Sequence, residues 1–559
     1  MYSPTTVEEI QNFKGKYPKQ LWYLFLVEMW ERFTFYGMRA LLGLYISHLI
    51  LSTVYNPAPA DVIQKKIADF KAENGEVLDI NHPKWYIETS LQTDRDAAEA
   101  ISNKRYGMIN AFIYAMAFIG GLFADKLFGF RRSIFWGGTL MAIGTFIMAI
   151  PGAFSFYAGV SILIVGNGFF KPNISTMVGA LYRSGDPRRD AGFSLFYSGI
   201  NIGAFLSGLT IAWIGTSYSW SLGFGLAGVF MLMGLGLFIF TQKSLGPIGT
   251  PPNPMRLEQK TAGIPYGYLI QGLTLLMIPL FFLLIYYPVT INISFIAGLN
   301  VDGSPKTLEF SDVIMMLAAL GTVGYLGFAI SRSPKSEARK LIAAMILIFF
   351  SVAFWSFFEQ GGGSLNFFAN GNVESHGFNM TSVNNSINAL FVIIFSPLVG
   401  LLWLSLNKRN KEPNTVVKFG LGFLFLGIGF LVFYFSKFFA DDSGHTPMAF
   451  FALAYLAVTI GELCLSPIGL SIMTKLSPHR LVGVMMGTWF LASAFGQYGA
   501  GLIGAALATS EDKTKVLTNL DKLDQYTEGY KIIGIIAIVA ALRLIGFSPL
   551  IKKLMGEVK

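Results

Sequence analysis

The sequence predicts an all-α polytopic membrane protein: two bundles of six transmembrane helices, with two additional central helices between them. Three observations carry this reading. Of the 559 residues, 53% are hydrophobic and only 13% are charged, and the mean hydropathy is +0.53; a soluble domain carries about 25% charged residues. Apolar runs of roughly 20 residues, each long enough to span a hydrocarbon core, recur along the chain. Lys and Arg gather in alternate loops between those runs. Disordered chains, disulfide scaffolds and ordinary soluble enzymes are excluded. The net charge of +9 reads as basic loops on one membrane face, with the lipid bilayer and not nucleic acid as the partner. The single cysteine, Cys464, and histidines scattered at 48, 82, 376, 445 and 479 offer no disulfide and no metal-ligand spacing. No metal or organic cofactor is expected.

The first helix, near 20–50, follows Lys14, Lys16 and Lys19 and opens on Trp22 and Tyr23, residues suited to a membrane interface. Its run is too long for a signal peptide and lacks a small-residue cleavage site. A long loop, 51–104, containing Asp61, Asp69, Glu73, Glu76 and Asp79, leads to the second helix at 105–128. Lys126, Arg131 and Arg132 precede the third, 133–151. The fourth, 155–181, is followed by Arg183, Arg188 and Arg189. The fifth and sixth, 191–214 and 220–242, end at Lys243, Arg256 and Lys260. An extra pair, 264–287 and 312–331, crosses outward and back, because Arg332, Lys335, Arg339 and Lys340 precede the seventh main helix at 337–368. The last five lie at 380–405, 415–436, 447–474, 480–507 and 530–551, with Lys408, Arg409 and Lys411 after the first of them. Loops near 152–155, 215–219 and 361–378 hold no Lys or Arg, so both termini are expected in the cytoplasm. The expected domains are an N-terminal six-helix bundle, 1–242, with outer loop 51–104; a linker with the extra helices, 243–336; and a C-terminal bundle, 337–559.

A charge at bilayer depth costs several kcal/mol, so those present need partners or a wet cavity. The first helix carries Glu28, Glu31, Arg32 and Arg39 on one face with Phe35, and Tyr36 one turn from Arg32. That spacing follows the three/four step of a helix. Such a stripe faces the bundle interior, either as an ion-pair network that fixes packing or as part of a site. The fourth helix adds Lys171, the seventh Glu359 and the tenth Glu462. Isolated polar residues such as Asn167 read as packing groups that hydrogen-bond between helices. Taken together, one half offers Arg32, Arg39 and Lys171 and the other offers Glu359 and Glu462. A cavity between them is cationic on one wall and anionic on the other, which fits a zwitterion such as a free peptide. Tyr114, Asn201 and Asn388 are placed to reach its amide groups, and Trp355 and Trp489 to form permissive apolar pockets. Gly361-Gly362-Gly363, directly after Glu359, serve either a bend or close packing.

The six-plus-six layout and the segment Gly120-Gly121-Leu122-Phe123-Ala124-Asp125-Lys126-Leu127-Phe128-Gly129-Phe130-Arg131-Arg132 resemble the major facilitator superfamily, whose sites lie near the midplane between two halves. Within it, Glu28-Met29-Trp30-Glu31-Arg32-Phe33-Thr34-Phe35-Tyr36-Gly37 resembles the ExxERFxYYG motif of proton-coupled oligopeptide transporters. Gly168-Phe169-Phe170-Lys171-Pro172-Asn173, Phe193-Ser194-Leu195-Phe196-Tyr197-Ser198-Gly199-Ile200-Asn201, Phe354-Trp355-Ser356-Phe357-Phe358-Glu359-Gln360-Gly361 and Gly461-Glu462-Leu463-Cys464-Leu465-Ser466-Pro467 are similar to later motifs of that family, in order. The central pair is similar to that of its prokaryotic members.

The resemblance implies proton-driven import of di- and tripeptides by alternating access through the bacterial cytoplasmic (inner) membrane, with protons as the coupling ion. It implies that Arg32 and Lys171 receive the peptide carboxylate and that Glu462 holds the terminal ammonium. Asn201, Asn388, Tyr36 and Tyr114 position the backbone. Glu28 and Glu31 pair with the helix 1 and helix 4 cations and take part in proton coupling. Arg39 and Glu359 pair across the outer gate. Three departures stand out. Phe35 replaces the first Tyr of the motif, Phe358 stands where some bacterial members have a second acid, and Tyr106-Gly107 opens the second helix without the His of animal members. Two other functions compete. A related symporter for nitrate or an amino-acid derivative is disfavoured for an anion by Glu359 and Glu462. An intramembrane enzyme using Glu28 and Glu31 lacks a neighbouring His, and no P-loop indicates ATP use.

Overall fold

The computed structural model describes residues 4–183, 185–261, 263–298, 305–509 and 518–556. Among them, fourteen long helices run in the predicted order. In the first half they are α1 (Lys19–Thr53), α2 (Gln92–Phe123), α3 (Phe130–Met148), α4 (Ala153–Ala180), α5 (Arg188–Ser217) and α6 (Trp220–Thr241). The central pair is α7 (Tyr266–Tyr286) and α8 (Phe310–Ser331). The second half comprises α9 (Lys335–Phe358), α10 (Met380–Lys408), α11 (Thr415–Ser436), α12 (Met448–Leu476), α13 (Val482–Ala508) and α14 (Asn519–Met555). All but α3 are long and apolar enough to cross a membrane by composition; α3 opens on Arg131 and Arg132, which lower its mean hydropathy. With α3 counted among the crossings, the fourteen helices put the start of α1 and the end of α14 on one face. The opposite face is called the far face below.

Three boundaries depart from the sequence reading. One is the start of α14, which lies at Asn519 and not near 530, because its first turns are polar and are capped by Thr518. α2 begins at Gln92, thirteen residues before its apolar run, because its first turns are polar and are held by side-chain bonds such as Gln92 Nε2 to Asp96 Oδ1 at 2.8 Å. The long loop 51–104 is therefore shorter and partly ordered. It holds a helix at Ala60–Asn74, closed by Gly75 in the left-handed region (φ 71°), and a short one at Trp85–Thr89. It docks on both halves: Trp220 Nε1 donates to the Pro83 carbonyl at 3.1 Å, and Lys84 Nζ to Asn370 Oδ1 at 2.9 Å. The third departure is at α9, which stops at Phe358. Glu359–Gly362 form a 3-10 turn, and a helix resumes at Ser364–Asn372. The glycine triplet thus does break the helix. It also serves close packing, because a Cβ on Gly362 would collide with the Tyr106 hydroxyl.

Small residues let the spans approach. A Cβ on Gly120 of α2 would overlap the Gly168 carbonyl of α4, and one on Gly461 of α12 would meet the Gly422 carbonyl of α11. Such contacts replace the hydrophobic driving force that lipid-solvated helices lack. The central pair is pinned by polar bonds. Trp136 Nε1 donates to Thr274 Oγ1 at 3.1 Å, and Arg132 Nη2 to Gln271 Oε1 at 3.0 Å. Asp312, in the first turn of α8, accepts from Lys104 of α2 at 3.0 Å and from Tyr498 of α13.

The two halves meet on the far face. Asn103 Nδ2 donates to the Gly504 carbonyl at 3.2 Å, Asn366 Nδ2 to the Ala40 carbonyl at 3.3 Å, and Asn379 Nδ2 to Thr216 Oγ1 at 2.9 Å. These bonds close that end and leave a cavity behind them.

Candidate functional site

The charged stripe of α1 faces inward. Glu28, Glu31 and Arg32 are each at most 2% exposed, and the Arg32 Nε lies 3.0 Å from Glu28 Oε1 and 2.5 Å from Glu31 Oε2. Asn167 of α4 donates to Glu31 Oε1 at 3.1 Å, so this polar residue does hydrogen-bond between helices, and its partner is the buried acid. The Arg32 guanidinium also stands over the Phe35 ring at 5.2 Å, the position where the motif usually has a Tyr. Arg32 Nη2 and Glu28 Oε2 are buried and form no hydrogen bond within the described residues.

A cavity of about 360 Å³ lies between the halves. Glu28, Arg32, Tyr36, Arg39, Tyr114, Lys171 and Asn201 line it from the first half, and Trp355, Glu359, Asn388 and Glu462 from the second. Eleven of the thirteen sequence-predicted positions therefore converge on one space. Glu31 lies behind Arg32 and is not a lining residue. Trp489 does not line the cavity either, since its ring sits against Gly469 of α12. The fold thus gives it a packing place and not the permissive pocket expected of it.

The charges are distributed unequally. Arg39 pairs with Glu359, and its Nε donates to the Tyr106 hydroxyl at 2.5 Å. This ion pair joins α1 to the break after α9 at the far side of the cavity. Of the two cations expected beside Glu28 and Glu31, Arg32 is in place. Lys171 Nζ stands instead 3.8 Å from the centre of the Tyr114 ring, with no carboxylate at ion-pair distance among the described residues. A cation over an aromatic face keeps part of its stabilisation without an anion. Glu462 accepts from Asn388 Nδ2 at 3.1 Å, and Asn388 also donates to Thr459 Oγ1 at 3.0 Å. Among the described residues no cation pairs with Glu462.

The structure adds lining residues that sequence reasoning missed: Tyr197, Asn384, Asn385 and Tyr455. Tyr455 donates to Asn384 Oδ1 at 2.6 Å, and Asn384 Nδ2 donates to the Gly361 carbonyl at 2.8 Å. This chain ties α12 and α10 to the broken segment after α9. A signal was present: Tyr455, Thr459 and Glu462 recur at one face of α12, as Asn384 and Asn388 do on α10.

A sequence profile described as the POT family matches residues 131–520. The chain belongs to the POT family. A peptide transporter of Yersinia enterocolitica, YePEPT, is 31% identical, covering 100% of this chain and 99% of its own length. A di-/tripeptide transporter of Lactococcus lactis is 30% identical over 98% of each chain. Among solved structures, a peptide transporter POT in complex with sulfate is 32% identical, with a TM-score of 0.73 and coverage of 99% of this chain and 100% of its own. A POT family transporter in complex with 5-aminolevulinic acid is 26% identical, with a TM-score of 0.72, covering 98% and 99%. The fold is the major facilitator fold with two additional central helices, and the protein is an integral membrane protein of a transporter family.

Proposed function

We propose that this POT family member is a proton-driven symporter that imports di- and tripeptides by alternating access. The observation that carries the reading is one cavity with Arg32 and Lys171 on one wall and Glu462 on the other. Among the described residues Arg32 Nη2 has no hydrogen-bond partner and Lys171 no anion partner, which suits the peptide carboxylate, and Glu462 has no cation partner, which suits the terminal ammonium. Tyr36, Tyr114, Asn201 and Asn388 reach the backbone, and Trp355 offers an apolar surface that does not select one side chain. Named relatives that carry peptides support the substrate class. In this reading residues 1–242 and 337–559 are the moving bundles and 243–336 the linker. The membrane is the bacterial cytoplasmic one, both termini are inside, and the far face is outside. The chain performs no catalysis and holds no cofactor.

Coupling follows from buried carboxylates. A glutamate beside a cation stays ionised, and one deprived of its cation is driven toward the neutral form by desolvation. Protonation of the Glu28/Glu31 pair thus frees Arg32 for the peptide carboxylate, and departure of the peptide lets the pair reform and expels the proton, which links the two ligands. A potential of 100 mV contributes about 2.3 kcal/mol per charge and one pH unit about 1.4 kcal/mol. Their total, roughly 3.7 kcal/mol, supports about 500-fold accumulation of a neutral solute at one proton per solute.

The test is uptake of labelled di- and tripeptides into proteoliposomes with and without an imposed proton gradient. Gradient-dependent accumulation that unlabelled dipeptide, but not nitrate, abolishes is the expected result, and Lys171→Ala should abolish that accumulation. Uptake indifferent to the gradient, or competed by nitrate and not by peptide, sinks the proposal.

A further inference from the structure

The outermost turns of α2 carry Asp96 and Glu99 one helical turn apart, and the first turns of α14 carry Lys522 and Tyr526 at nearly the same spacing. The two pairs meet across the halves. Lys522 Nζ lies 2.7 Å from Asp96 Oδ1 and 2.8 Å from Glu99 Oε2. The Tyr526 hydroxyl donates to the same Glu99 oxygen at 3.0 Å. Each of the three charged side chains is only 12% exposed. The cluster caps the α2–α13 seam at its far end, beyond the bond from Asn103 to the Gly504 carbonyl. It shares no residue with the Arg39–Glu359 pair, which joins α1 to the segment after α9 and touches α2 through the bond from Arg39 to Tyr106.

Its charge balance is informative. Among the described residues, one ammonium holds two carboxylates that belong to the other half. An ion pair open to water contributes little, but removing one partner from a pair held out of water leaves an uncompensated charge. Without Lys522, two carboxylates one turn apart repel each other against the apolar seam, and only separation of the halves returns both to water.

We propose that Lys522, Asp96 and Glu99 form a second ionic clasp, which holds the two halves together on the far face and opens in every outward-facing step. They are positioning residues: they touch no solute and act by setting the populations of the closed and open far face. The proposal rests on the halves rocking about a central cavity and does not depend on the identity of the solute. Because external solute binds only the open form, raising that population lowers the apparent external KM in proportion.

The experiment uses the full-length chain in liposomes, with Cys464→Ser and spin labels on cysteines placed at the exposed positions Thr93 and Leu520. Pulsed electron resonance reads the distance between α2 and α14 across the far face, and Glu359→Gln serves as the control for opening. In Lys522→Met the long-distance population should rise at least about fivefold, the upper end for an exposed ion pair and a lower bound for one held out of water, and the external KM for a dipeptide should fall by a similar factor. Lys522→Arg should match the parent. Adding Asp96→Asn and Glu99→Gln to Lys522→Met should remove the repulsion and return part of the population to the closed form. Glu99→Gln alone should give an intermediate shift, and it carries the test if Lys522→Met is not recovered folded. Unchanged distances and KM in these variants, while Glu359→Gln still shifts the distribution, would overturn the clasp. Shifted distances in a protein that transports no peptide would overturn the functional proposal and leave the clasp standing.

Discussion

Glu462 accepts one hydrogen bond from Asn388 and faces a cavity whose cations are on the opposite wall. If it reads the peptide amine, N-acetylation should cost the parent protein affinity by about tenfold or more, the loss of one charge-assisted contact in a site shielded from water. In Glu462→Gln, which keeps the shape and removes the charge, the penalty should shrink to a few-fold. Competition assays with free and acetylated dipeptides measure both; an equal penalty in the two proteins places the amine elsewhere. At this scale the sequence was most legible where physics is most severe. Glu28, Arg32, Arg39, Lys171, Glu359 and Glu462 were visible because a charge in an apolar run demands an explanation. Tyr197, Asn384 and Tyr455 were missed although their spacing was readable: they stand one or two turns before Asn201, Asn388 and Glu462 on the same helix faces, but an uncharged Tyr or Asn makes no energetic demand that singles it out. Trp489 shows the converse limit: an apolar residue beside a site helix has two faces open to it, and packing against Gly469, which lies on another helix, decided between them.

The helices themselves were legible because each apolar run has one solution in lipid, a hydrogen-bonded helix. What escaped was polar structure at their ends. The residues from Gln92 to Lys104 lack an apolar run, so hydropathy assigned them to a loop, and with them went the clasp residues Asp96 and Glu99. The segment between α1 and α2 holds a further ordered element. His82 is 9% exposed; its Nδ1 accepts from the Lys84 amide at 3.1 Å and its Nε2 lies 3.4 Å from Glu76 Oε2. An accepting Nδ1 requires the neutral ring, and burial holds the His82 pKa below its ordinary value. The unfolded segment therefore binds the proton more readily than the docked one. The stability His82 contributes is present above the unfolded pKa of about 6.5 and is lost as pH falls below it toward the folded value. Hydrogen exchange, corrected for intrinsic rates, should show protection of amides 79–89 falling severalfold between about pH 7.5 and 5.5. A His82→Gln variant should flatten that dependence; an identical fall in both proteins assigns it to another group.

At the scale of the whole molecule, Arg39 and Glu359 join the two halves at the far side of the cavity, and Glu359 sits where α9 gives way to a 3-10 turn. A helix broken at its own charged residue places that residue at an element end, the kind of position where hinges absorb backbone changes. In the proposed coupling, protonating Glu359 should weaken the pair and favour an open far face, and deprotonation should let it close. Glu359→Gln fixes the neutral form. Peptide binding should survive, since Arg32, Lys171 and Glu462 remain in place. Counterflow exchange, which needs no net proton movement, should persist at roughly the parent rate. Accumulation against a gradient should disappear, because the pair can no longer cycle between its charged and neutral forms. Both modes are measured in the same liposomes, so a folding defect, which lowers both, is separated from lost coupling, which lowers one. Intact proton-driven accumulation in Glu359→Gln would remove this pair from the coupling mechanism. The carboxylates left to carry the proton would then be Glu28 and Glu31, which pair with Arg32, and Glu462, which has no paired cation among the described residues; Glu31→Gln and Glu462→Gln are the next variants to measure for proton-driven accumulation.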